Sequence, residues 1–385
     1  MPNLNSKSKV ALMINMIAPA RIAVYSGLAE RFNLLILHEG LESNRDTWHD
    51  LDGKLPNAAV KRAWGWQIRK TERSGNGEVF NYRYIHVTPG FVWHLLRFRP
   101  DAVITNEMGF RTVIALTYGT LFRRPVWVWW GGTPHTERNI GFVRRLVRHV
   151  VSGWARRWIS YGRSSTEYLL RLGVPPDRIL QTQNAVDEFH FSDVAEPKFN
   201  IQPGPVLLFV GQLISRKGID LALRAVATVQ QEGRQVSLLL VGSGPEQQAL
   251  QDLSKGLKLK NVHFFPSQEP KEMPSVYRSG DVLVFPTLED VWGLVANEAL
   301  LSGVPVLCSK YAGCAEELFS AESIFDPANA GEFVAKLRLA LSGQLPKPDR
   351  SRLKTTREIV NGIVCAIEDS TRGPVRPQTA EQAKT

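Results

Sequence analysis

The chain has 385 residues, of which 43% are hydrophobic and 22% are charged. This length predicts two or three domains, and the ordinary composition excludes collagen, a coiled coil and wholesale disorder. The 47 Lys and Arg residues outnumber the 37 Asp and Glu residues, which gives a formal net charge of +10. The apolar runs are short, so none of them predicts a membrane-spanning helix.

The charge excess belongs to the first half of the chain. Residues 1–190 contain 26 basic and 15 acidic residues, whereas residues 191–385 contain 21 and 22. This asymmetry indicates an anionic partner for the N-terminal half, either a nucleic acid, a membrane surface or a phosphorylated ligand. The three cysteines form neither a disulfide framework nor a zinc motif, so we expect a reducing, cytoplasmic compartment.

The first apolar run, Val10–Ile17, allows two interpretations. Two lysines precede it and Ala18-Pro19-Ala20 follows it, a pattern that also occurs in signal peptides. The run is short and Asn15 interrupts it, which favours a buried first strand. We expect a helix over Ile22–Arg31 to follow.

Short apolar runs alternate with helical patterns along both halves. The predicted strands of the first half are Val10–Asn15, Leu34–His38, Ala102–Thr105, Val126–Trp130 and Trp158–Tyr161. Those of the second half are Val206–Val210, Val236–Val241, Val262–Phe265, Val282–Phe285 and Val304–Cys308, with helices such as Gly218–Gln231 and Pro245–Lys255 between them. This alternation predicts an α/β protein with two doubly wound domains of parallel strands facing across a cleft.

The expected boundary is a linker within Asn184–Pro205, where polar residues and prolines replace the apolar period. We therefore predict an N-terminal domain over residues 1–187 and a C-terminal domain over residues 188–354. A helix over residues 355–369 is expected to return to the N-terminal domain. Residues 370–385 have the composition of a disordered tail.

Three segments of the second half combine strand ends with glycines and charges. Gly211, Arg216 and Lys217 follow one strand, and adjacent cations beside a helix start can hold a diphosphate. Gly242-Ser243-Gly244-Pro245 follows the next strand and permits a close approach of backbone to a ligand. Taken alone, the first segment is equally compatible with a solvated basic loop, and the second is better explained as an ordinary tight turn from strand to helix.

The third segment, Phe285 to Pro305, is the most informative. An acidic loop with Glu289 and Asp290 precedes a helix that starts at Gly293, and Glu298 lies about one and a half turns into that helix. Carboxylates on both sides of an anion-binding helix start suit a ligand with hydroxyls on both sides of a diphosphate, as in a nucleotide sugar. The alternative is that Asp290 caps the helix and Glu298 is solvated.

Together, in this order, the three segments resemble the donor-binding half of family 4 retaining glycosyltransferases of the GT-B fold (glycosyl transferases group 1), of the type that acts on bacterial cell-surface polysaccharides. The resemblance extends from Val206 to Pro327. It implies a hexosyltransferase that uses a UDP- or GDP-linked sugar as donor, without a metal or a resident cofactor. Two positions depart from the family pattern: Gln212 replaces an Arg, and Asp290 replaces a Glu.

The resemblance also assigns roles to residues. It implies that Lys217 binds the donor diphosphate, with Arg216 as the second cation, and that Glu298 binds the ribose hydroxyls. Asp290, with Glu289 beside it, would face the donor sugar. The remaining donor contacts implied are Gly211, Gln212, Gly242, Gly244, Trp292, Gly293, Leu294 and Val295. Asp290, His135 and Lys217 would form the catalytic centre.

The acceptor side is less well defined. His135, in a loop after a central strand, is our choice for the histidine that contacts the donor sugar in the family, although an exposed loop histidine is an equal alternative. Arg21, Glu137 and Arg138 are candidate acceptor contacts. The implied acceptor is a glycan, lipid-linked or otherwise anionic, in cell-envelope or exopolysaccharide biosynthesis.

Two basic regions could meet an anionic partner. Phe142–Trp158 predicts an amphipathic helix with an apolar stripe over Phe142, Leu146, Val147, Val150, Val151 and Trp154, flanked by arginines. Such a helix suits an anionic membrane at the inner face, but the stripe packing on the sheet is the more economical interpretation. Trp64 and Trp66 among basic residues could also bind single-stranded nucleic acid, although no nucleic-acid motif accompanies them.

Two other functions remain open at this stage. A nucleotide-sugar epimerase or hydrolase could use the same fold and donor site. A noncatalytic membrane- or nucleic-acid-binding protein with a decayed site would explain Gln212 and Asp290.

Overall fold

A computed structural model describes residues 7–40, 52–73, 77, 79–192 and 195–372. Its strands are β1 (Lys9–Ile14), β2 (Asn33–His38), β3 (Ala58–Arg62), β4 (Trp66–Arg73), β5 (Val79–Val87), β6 (Ala102–Asn106), β7 (Val126–Trp130), β8 (Trp158–Ser160), β9 (Ile179–Gln181), β10 (Val206–Val210), β11 (Ser237–Val241), β12 (Val262–Phe265), β13 (Val282–Phe285), β14 (Val306–Ser309) and β15 (Ile324–Phe325). Its helices are α1 (Ile22–Arg31), α2 (Gly90–Phe98), α3 (Phe110–Phe122), α4 (Phe142–Trp154), α5 (Arg163–Arg171), α6 (Glu188–Ser192), α7 (Ile219–Gln231), α8 (Gln247–Gly256), α9 (Met273–Tyr277), α10 (Leu294–Leu301), α11 (Ala315–Leu318), α12 (Ala330–Leu341) and α13 (Thr356–Arg372).

The first domain is built on a seven-stranded sheet in the order β3-β2-β1-β6-β7-β8-β9. Neighbouring strands are parallel, as between β1 and both β2 and β6. Helices cover both faces, so the central strands are buried on both sides and appear in the sequence as unbroken apolar runs. The first apolar run of the chain forms the central strand β1, as the strand interpretation predicted.

The second domain contains a six-stranded parallel sheet in the order β12-β11-β10-β13-β14-β15. In both sheets the strand order reverses direction beside the first strand of the domain, which is the place where doubly wound proteins bind ligands. The predicted fold class, two Rossmann-like α/β domains, is therefore confirmed.

The last helix lies on the first domain. Ile359, Ile363 and Ile367 of α13 belong to the same buried cluster as Leu28 of α1. The helices approach closely at Gly27, where a Cβ atom would stand 2.8 Å from a methyl group of Val360. The opposite face of the first sheet is covered by α2, α3, α4 and α5.

Three expectations about element boundaries are wrong. The segment 184–205 is not simply a linker, because it contains α6, whose Phe191 is buried against Tyr277 at 6.1 Å between ring centroids. Helix α13 continues through Ser370 to Arg372, so the predicted tail does not begin at residue 370. The Ser370 hydroxyl accepts a hydrogen bond from the Trp127 indole. Residues 373–385 lie outside the described residues. Helix α4 ends at Trp154, because the chain turns extended at Ala155 and enters β8.

An antiparallel hairpin of β4 and β5 was not expected. Along β4 the side chains are exposed or half-buried on both faces, so the sequence lacks the alternation of apolar and polar residues that marks a strand.

Within the described ranges, helices are too short or too polar to cross a membrane.

Candidate active site

The three glycine-containing segments of the second domain meet at the carboxyl edge of its sheet. The N–H of Leu213 donates to the Ser243 carbonyl, and the N–H of Leu288 donates to the Arg216 carbonyl at 2.7 Å. The contacts leave no room for side chains: a Cβ on Gly242 would lie 1.8 Å from the Gly211 oxygen, and one on Gly244 would lie 2.2 Å from the Leu213 oxygen. The glycines of these predicted turns therefore serve the packing of one turn against another.

The turn after β10 carries the predicted cations. Ser215–Lys217 forms a single 3-10 turn that Gly218 closes in the left-handed conformation, with φ +64°. A Cβ on Gly218 would stand 2.2 Å from the Pro286 oxygen at the end of β13. The sequence thus fixes Lys217 beside the acidic loop of the third segment. Gln212 lies earlier in the same turn and is half-buried.

Lys217 and Asp290 form an ion pair, with 2.6 Å between Nζ and Oδ2. The Arg216 guanidinium donates to the Glu289 carbonyl at 2.8 Å and lies 3.9 Å from the same Asp290 oxygen. Burial raises the pKa of Asp290, but the charges of Lys217 and Arg216 outweigh it and hold that pKa below its usual value. Lys217, the residue predicted to bind the donor phosphate, is therefore paired here with Asp290, the residue predicted to contact the donor sugar.

Gly293, which has φ +105°, is the N-cap residue that directly precedes helix α10. A Cβ on Gly293 would lie 2.4 Å from the Phe285 ring, so only glycine fits both the conformation and the space. The Asp290 carboxylate accepts from the N–H of Trp292 at 3.2 Å and shapes the loop. The backbone N–H groups of Leu294 and Val295 lie in the first turn, where they have no acceptor within the helix and attract an anion.

The Trp292 side chain cannot serve as a donor contact, contrary to our expectation. It is 1% exposed, and its indole N–H donates to Asn297 at 2.8 Å. A Cβ on Gly162 of the first domain would lie 2.4 Å from its ring. Its position is explained by packing between the domains.

His135 reaches across the cleft to the acidic loop. Its Nε2 lies 2.9 Å from the Leu288 carbonyl, and its ring stacks on Tyr311 with 4.3 Å between centroids. Burial and the cations Arg138 and Lys310 lower the pKa of His135, although the Leu288 carbonyl opposes them. The ring is thus neutral near pH 7 and donates its Nε2–H to Leu288. No sequence signal pointed to Tyr311.

The candidate acceptor contacts have structural partners. Arg21 is 8% exposed, with its guanidinium over the rings of Trp129 and Tyr161 at 4.6 and 4.7 Å. Contact between Arg21 and an acceptor would require this packing to open. Glu137 pairs with Arg148 at 2.8 Å, inside the first domain. Arg138 pairs across the cleft with Glu289 at 3.3 Å.

Glu298 lies behind the helix start and is bound by a residue that the sequence did not single out. The Tyr277 hydroxyl donates to Glu298 Oε2 at 2.5 Å. Burial raises the pKa of Glu298 to about 7, and the Tyr277 hydrogen bond partly opposes this rise. Tyr277 is fully buried, so the carboxylate is held in one place.

The raised pKa predicts a pH-dependent donor affinity. If ribose hydroxyls donate to ionised Glu298, donor binding should tighten as the pH rises. The Kd for a nucleotide sugar should fall about tenfold for each unit of increase up to about pH 7 and then stay constant. Isothermal titration calorimetry between about pH 5.5 and pH 8.5 measures this dependence. In Tyr277→Phe the transition should move to higher pH, because the hydrogen bond that lowers the pKa is lost. Glu298→Gln is the control and should show a weak, flat profile; a flat profile in the wild type would contradict the assignment.

The two domains are in direct contact around this site. The Arg163 N–H donates to Glu317 at 2.8 Å, and the Gln183 amide donates to the other oxygen of Glu317 at 2.9 Å. The Asn297 amide donates to the Asn184 carbonyl at 3.0 Å. These contacts bring His135 of the first domain and Asp290 of the second to one end of the cleft.

Residues 193–358 match the family of glycosyl transferases group 1. The match covers less than half of the chain and lies wholly within its second half. This match confirms the glycosyl transferases group 1 part of the resemblance, and the three segments that carry it all lie inside the matched residues.

Two named glycosyltransferases are similar to part of this chain. The chain is 35% identical over 129 residues to a D-inositol 3-phosphate glycosyltransferase of Nocardia farcinica, over 31% of this chain and 28% of that protein. It is 30% identical over 152 residues to an uncharacterized glycosyltransferase, MJ1607, of Methanocaldococcus jannaschii, over 37% and 39% of the two chains. The matched region thus spans well under half the length of these relatives.

The whole fold is similar to that of Anabaena Alr3699/HepE, solved in complex with UDP and glucose. The TM-score is 0.66 at 15% identity, and the likeness covers 95% of this chain and 97% of that one. Both domains are therefore those of a GT-B fold, as the sequence predicted.

Proposed function

We propose that the protein is a glycosyltransferase that moves a sugar from a nucleotide-diphosphate donor to an acceptor hydroxyl. The observation that carries this proposal is the convergence of Lys217, the α10 helix start and Glu298 at one edge of the second sheet. Cations and helix N–H groups suit a diphosphate, and a carboxylate at the far side suits the ribose hydroxyls. The glycosyl transferases group 1 match of this region supports the same donor class.

The ion pair between Lys217 and Asp290 suggests how the donor is accommodated. A diphosphate offers Lys217 a stronger partner than one carboxylate, and Asp290 is then released toward the hydroxyls of the donor sugar. His135 lies at the same end of the cleft, within reach of the acidic loop. We assign the catalytic centre to Asp290, His135 and Lys217 on this basis.

The proposed chemistry is mainly electrostatic. Lys217, Arg216 and the α10 start stabilise the charge that develops on the departing diphosphate. The leaving phosphate oxygen accepts the proton of the attacking hydroxyl on the same face of the sugar, which retains the anomeric configuration as the family resemblance implies. Domain contacts around the site position the acceptor and exclude water.

Thermal-shift measurements against a panel of UDP-, GDP- and ADP-linked sugars test the donor proposal. Because ligand binding stabilises the folded state, a donor at about 100 times its Kd should add about 2.7 kcal/mol to the free energy of unfolding. The complex of the Anabaena protein with UDP makes UDP-sugars the first choice. Absence of a shift with every donor would contradict the proposal, and consumption of the donor without any acceptor would favour an epimerase or hydrolase.

We further propose that the first domain acts at an anionic membrane, on a lipid-linked glycan of a cell-surface polysaccharide. Helices α2, α3 and α4 cover one face of the first sheet and contain no Asp or Glu. In α4, Phe142 is 77% exposed, and Leu146 and Val150 are also exposed, so only Val147 and Val151 of the predicted stripe pack inward. The expectation that the stripe packs on the sheet is therefore wrong for most of its residues.

The other two helices of this face support the same partner. The exposed apolar side chains on α2 and α3 are Val92, Trp93, Leu96, Phe110, Val113, Leu121 and Phe122. Exposed arginines border them at Arg97, Arg123 and Arg145. Apolar side chains among cations fit the interface of a bilayer with anionic headgroups.

Sedimentation with liposomes tests the membrane proposal. The protein should bind phosphatidylglycerol vesicles and not phosphatidylcholine vesicles, and the variant Phe142→Ser/Leu146→Ser should bind them at least about tenfold less. Phe189→Ser, which alters an equally exposed phenylalanine on α6, is the control. Raising NaCl from about 0.1 M to about 1 M should weaken vesicle binding far more than donor binding. Equal binding to both lipids, or equal salt sensitivity of both ligands, would contradict the proposal.

A further inference from the structure

A second cavity opens at the carboxyl edge of the first sheet, between the end of β2 and the β4–β5 hairpin. Its volume is about 360 Å³, within the range of small-ligand sites. The described residues that line it are Glu39, Arg62, Ala63, Trp64, Gly65, Trp66, Gln67, His86 and Thr88. The candidate site described above uses none of these residues.

The floor of the cavity is a buried polar network. Glu39 is 3% exposed and lies 2.8 Å from both the Arg111 guanidinium and His86 Nδ1, and it accepts from the Thr88 hydroxyl at 3.1 Å. Burial raises the pKa of Glu39, but His86 and Arg111 outweigh it and keep that pKa below its usual value. The floor therefore presents a carboxylate, an imidazole and a hydroxyl in fixed positions, which suits hydrogen bonding to a polyhydroxylated ligand.

The mouth of the cavity is aromatic and cationic. Trp64 and Trp66 are 60% and 63% exposed, and their rings meet edge to face with 6.2 Å between centroids. Exposed indoles at the rim of a polar cavity offer flat faces for the C–H face of a sugar ring. The Arg62 side chain folds over the end of β2, since a Cβ on Gly40 would lie 3.0 Å from its Nε.

The cavity adjoins the candidate donor site through the hairpin. His86, on its floor, belongs to β5, and Cα atoms of β5 come within 8 Å of those of the Ser215–Lys217 turn. The same turn holds Arg216 and Lys217, which we assign to the donor diphosphate. A ligand in the cavity would thus lie on the first-domain side of the cleft, against the hairpin that reaches this turn.

We propose that this cavity is an acceptor subsite for a sugar that carries a negative group, a carboxylate or a phosphate. The sugar ring packs on Trp66 and Trp64, its hydroxyls meet the Glu39 network, and its anionic group pairs with Arg62. This proposal rests on the proposed glycosyltransferase function. A stacked nucleobase would use the same indoles, but a floor that contains a carboxylate favours a ligand rich in hydroxyl donors.

Calorimetric titration of the full chain with a matched set of sugars tests the subsite. The probes are methyl glucuronide, glucose 6-phosphate and methyl glucoside, with inorganic phosphate as the control for an anion alone. One of the charged sugars should bind about 10- to 100-fold more tightly than methyl glucoside, because a charge-assisted pair with Arg62 forms only with the anion. Arg62→Gln should remove this difference, and Trp66→Ala should weaken binding of both kinds of sugar.

Control variants separate the cavity from general effects. Phe189→Ala removes another exposed aromatic ring and Arg224→Gln another exposed arginine, and both should leave sugar binding unchanged. Because Trp66 and Arg62 are exposed, both cavity variants should unfold at the wild-type temperature and bind the nucleotide sugar normally.

The outcomes distinguish the subsite from the proposed function. If nucleotide sugars bind but no charged sugar binds above methyl glucoside, the subsite is wrong and the donor assignment stands. If charged sugars bind but no nucleotide sugar does, the acceptor role is overturned together with the proposed function. If a short oligothymidylate binds more tightly than any of the sugars, and Trp66→Ala abolishes that binding, the cavity is a nucleic-acid site and the sugar proposal is wrong.

Discussion

Replacement of Lys217 by methionine should lower the kcat/KM for a nucleotide sugar by about 10²- to 10³-fold, since one preorganised charge on a developing anion is lost. Methionine keeps the apolar stem of the side chain and removes the ammonium group, whose Nζ lies 5.5 Å from the centroid of the Phe285 ring. Much of the loss should appear as weaker donor binding, because we propose that the ammonium contacts the diphosphate before and during the reaction. Steady-state kinetics and calorimetry with the donor found in the panel measure both parts.

The ion pair with Asp290 complicates this variant and also supplies its control. Removal of the cation leaves a buried carboxylate without its main partner, which can destabilise the fold by itself. The double variant Lys217→Met/Asp290→Asn removes both charges and should fold normally while it still fails to bind the donor. Lys198→Ala breaks a different lysine–carboxylate pair of the second domain, with Glu272, and should keep full activity. Normal donor binding by the double variant would refute the assignment of Lys217.

Replacement of His135 by alanine should lower kcat about 100-fold and leave the Kd of the donor nearly unchanged, because misplacement of reacting groups by about 1 Å has that effect. His135 comes from the first domain, whereas the proposed diphosphate contacts come from the second. The variant therefore removes the contact that aligns the acidic loop with the acceptor side.

The ring that stacks on His135 provides the matched comparison. Tyr311→Phe keeps the stack and should retain kcat within about twofold, whereas Tyr311→Ala releases the imidazole and should lower kcat about tenfold. Donor Kd and kcat measured on the same preparations separate the two effects. An equal loss of donor affinity and kcat in His135→Ala would show that the histidine acts only by holding the domains together.

The parts of the fold that the sequence predicted are those buried on both sides. Strands such as Val126–Trp130 and Val206–Val210 are covered by helices on both faces, so their runs of apolar residues are unmistakable. The hairpin Trp66–Val87 has no such pattern, because β4 lies open on both faces, and its tryptophans and basic residues suggested only a binding patch. Short edge strands such as Ile179–Gln181 contain too few residues to show a periodic pattern of apolar side chains.

The candidate site was predictable where backbone geometry dictates the residue type. Gly218 and Gly293 need positive φ angles, and their spacing from Lys217 and Glu298 made the donor half recognisable. Tyr277 and Tyr311 could not be found in this way, since each acts through one side-chain contact between distant parts of the chain. The pairing of Lys217 with Asp290 depends on the relative placement of two loops, which no local pattern encodes.

The return of α13 to the first domain means that the chain passes between the domains twice. The two passages run side by side: the N–H of Lys354 donates to Gln183 at 2.8 Å, and the N–H of Thr356 donates to Glu188 at 3.2 Å. Two adjacent chain segments that are hydrogen-bonded to each other permit rotation of the domains about one hinge axis and resist twisting about other axes. Any opening of the cleft would therefore follow one arc, along which His135 and the acidic loop separate and return to the same contact.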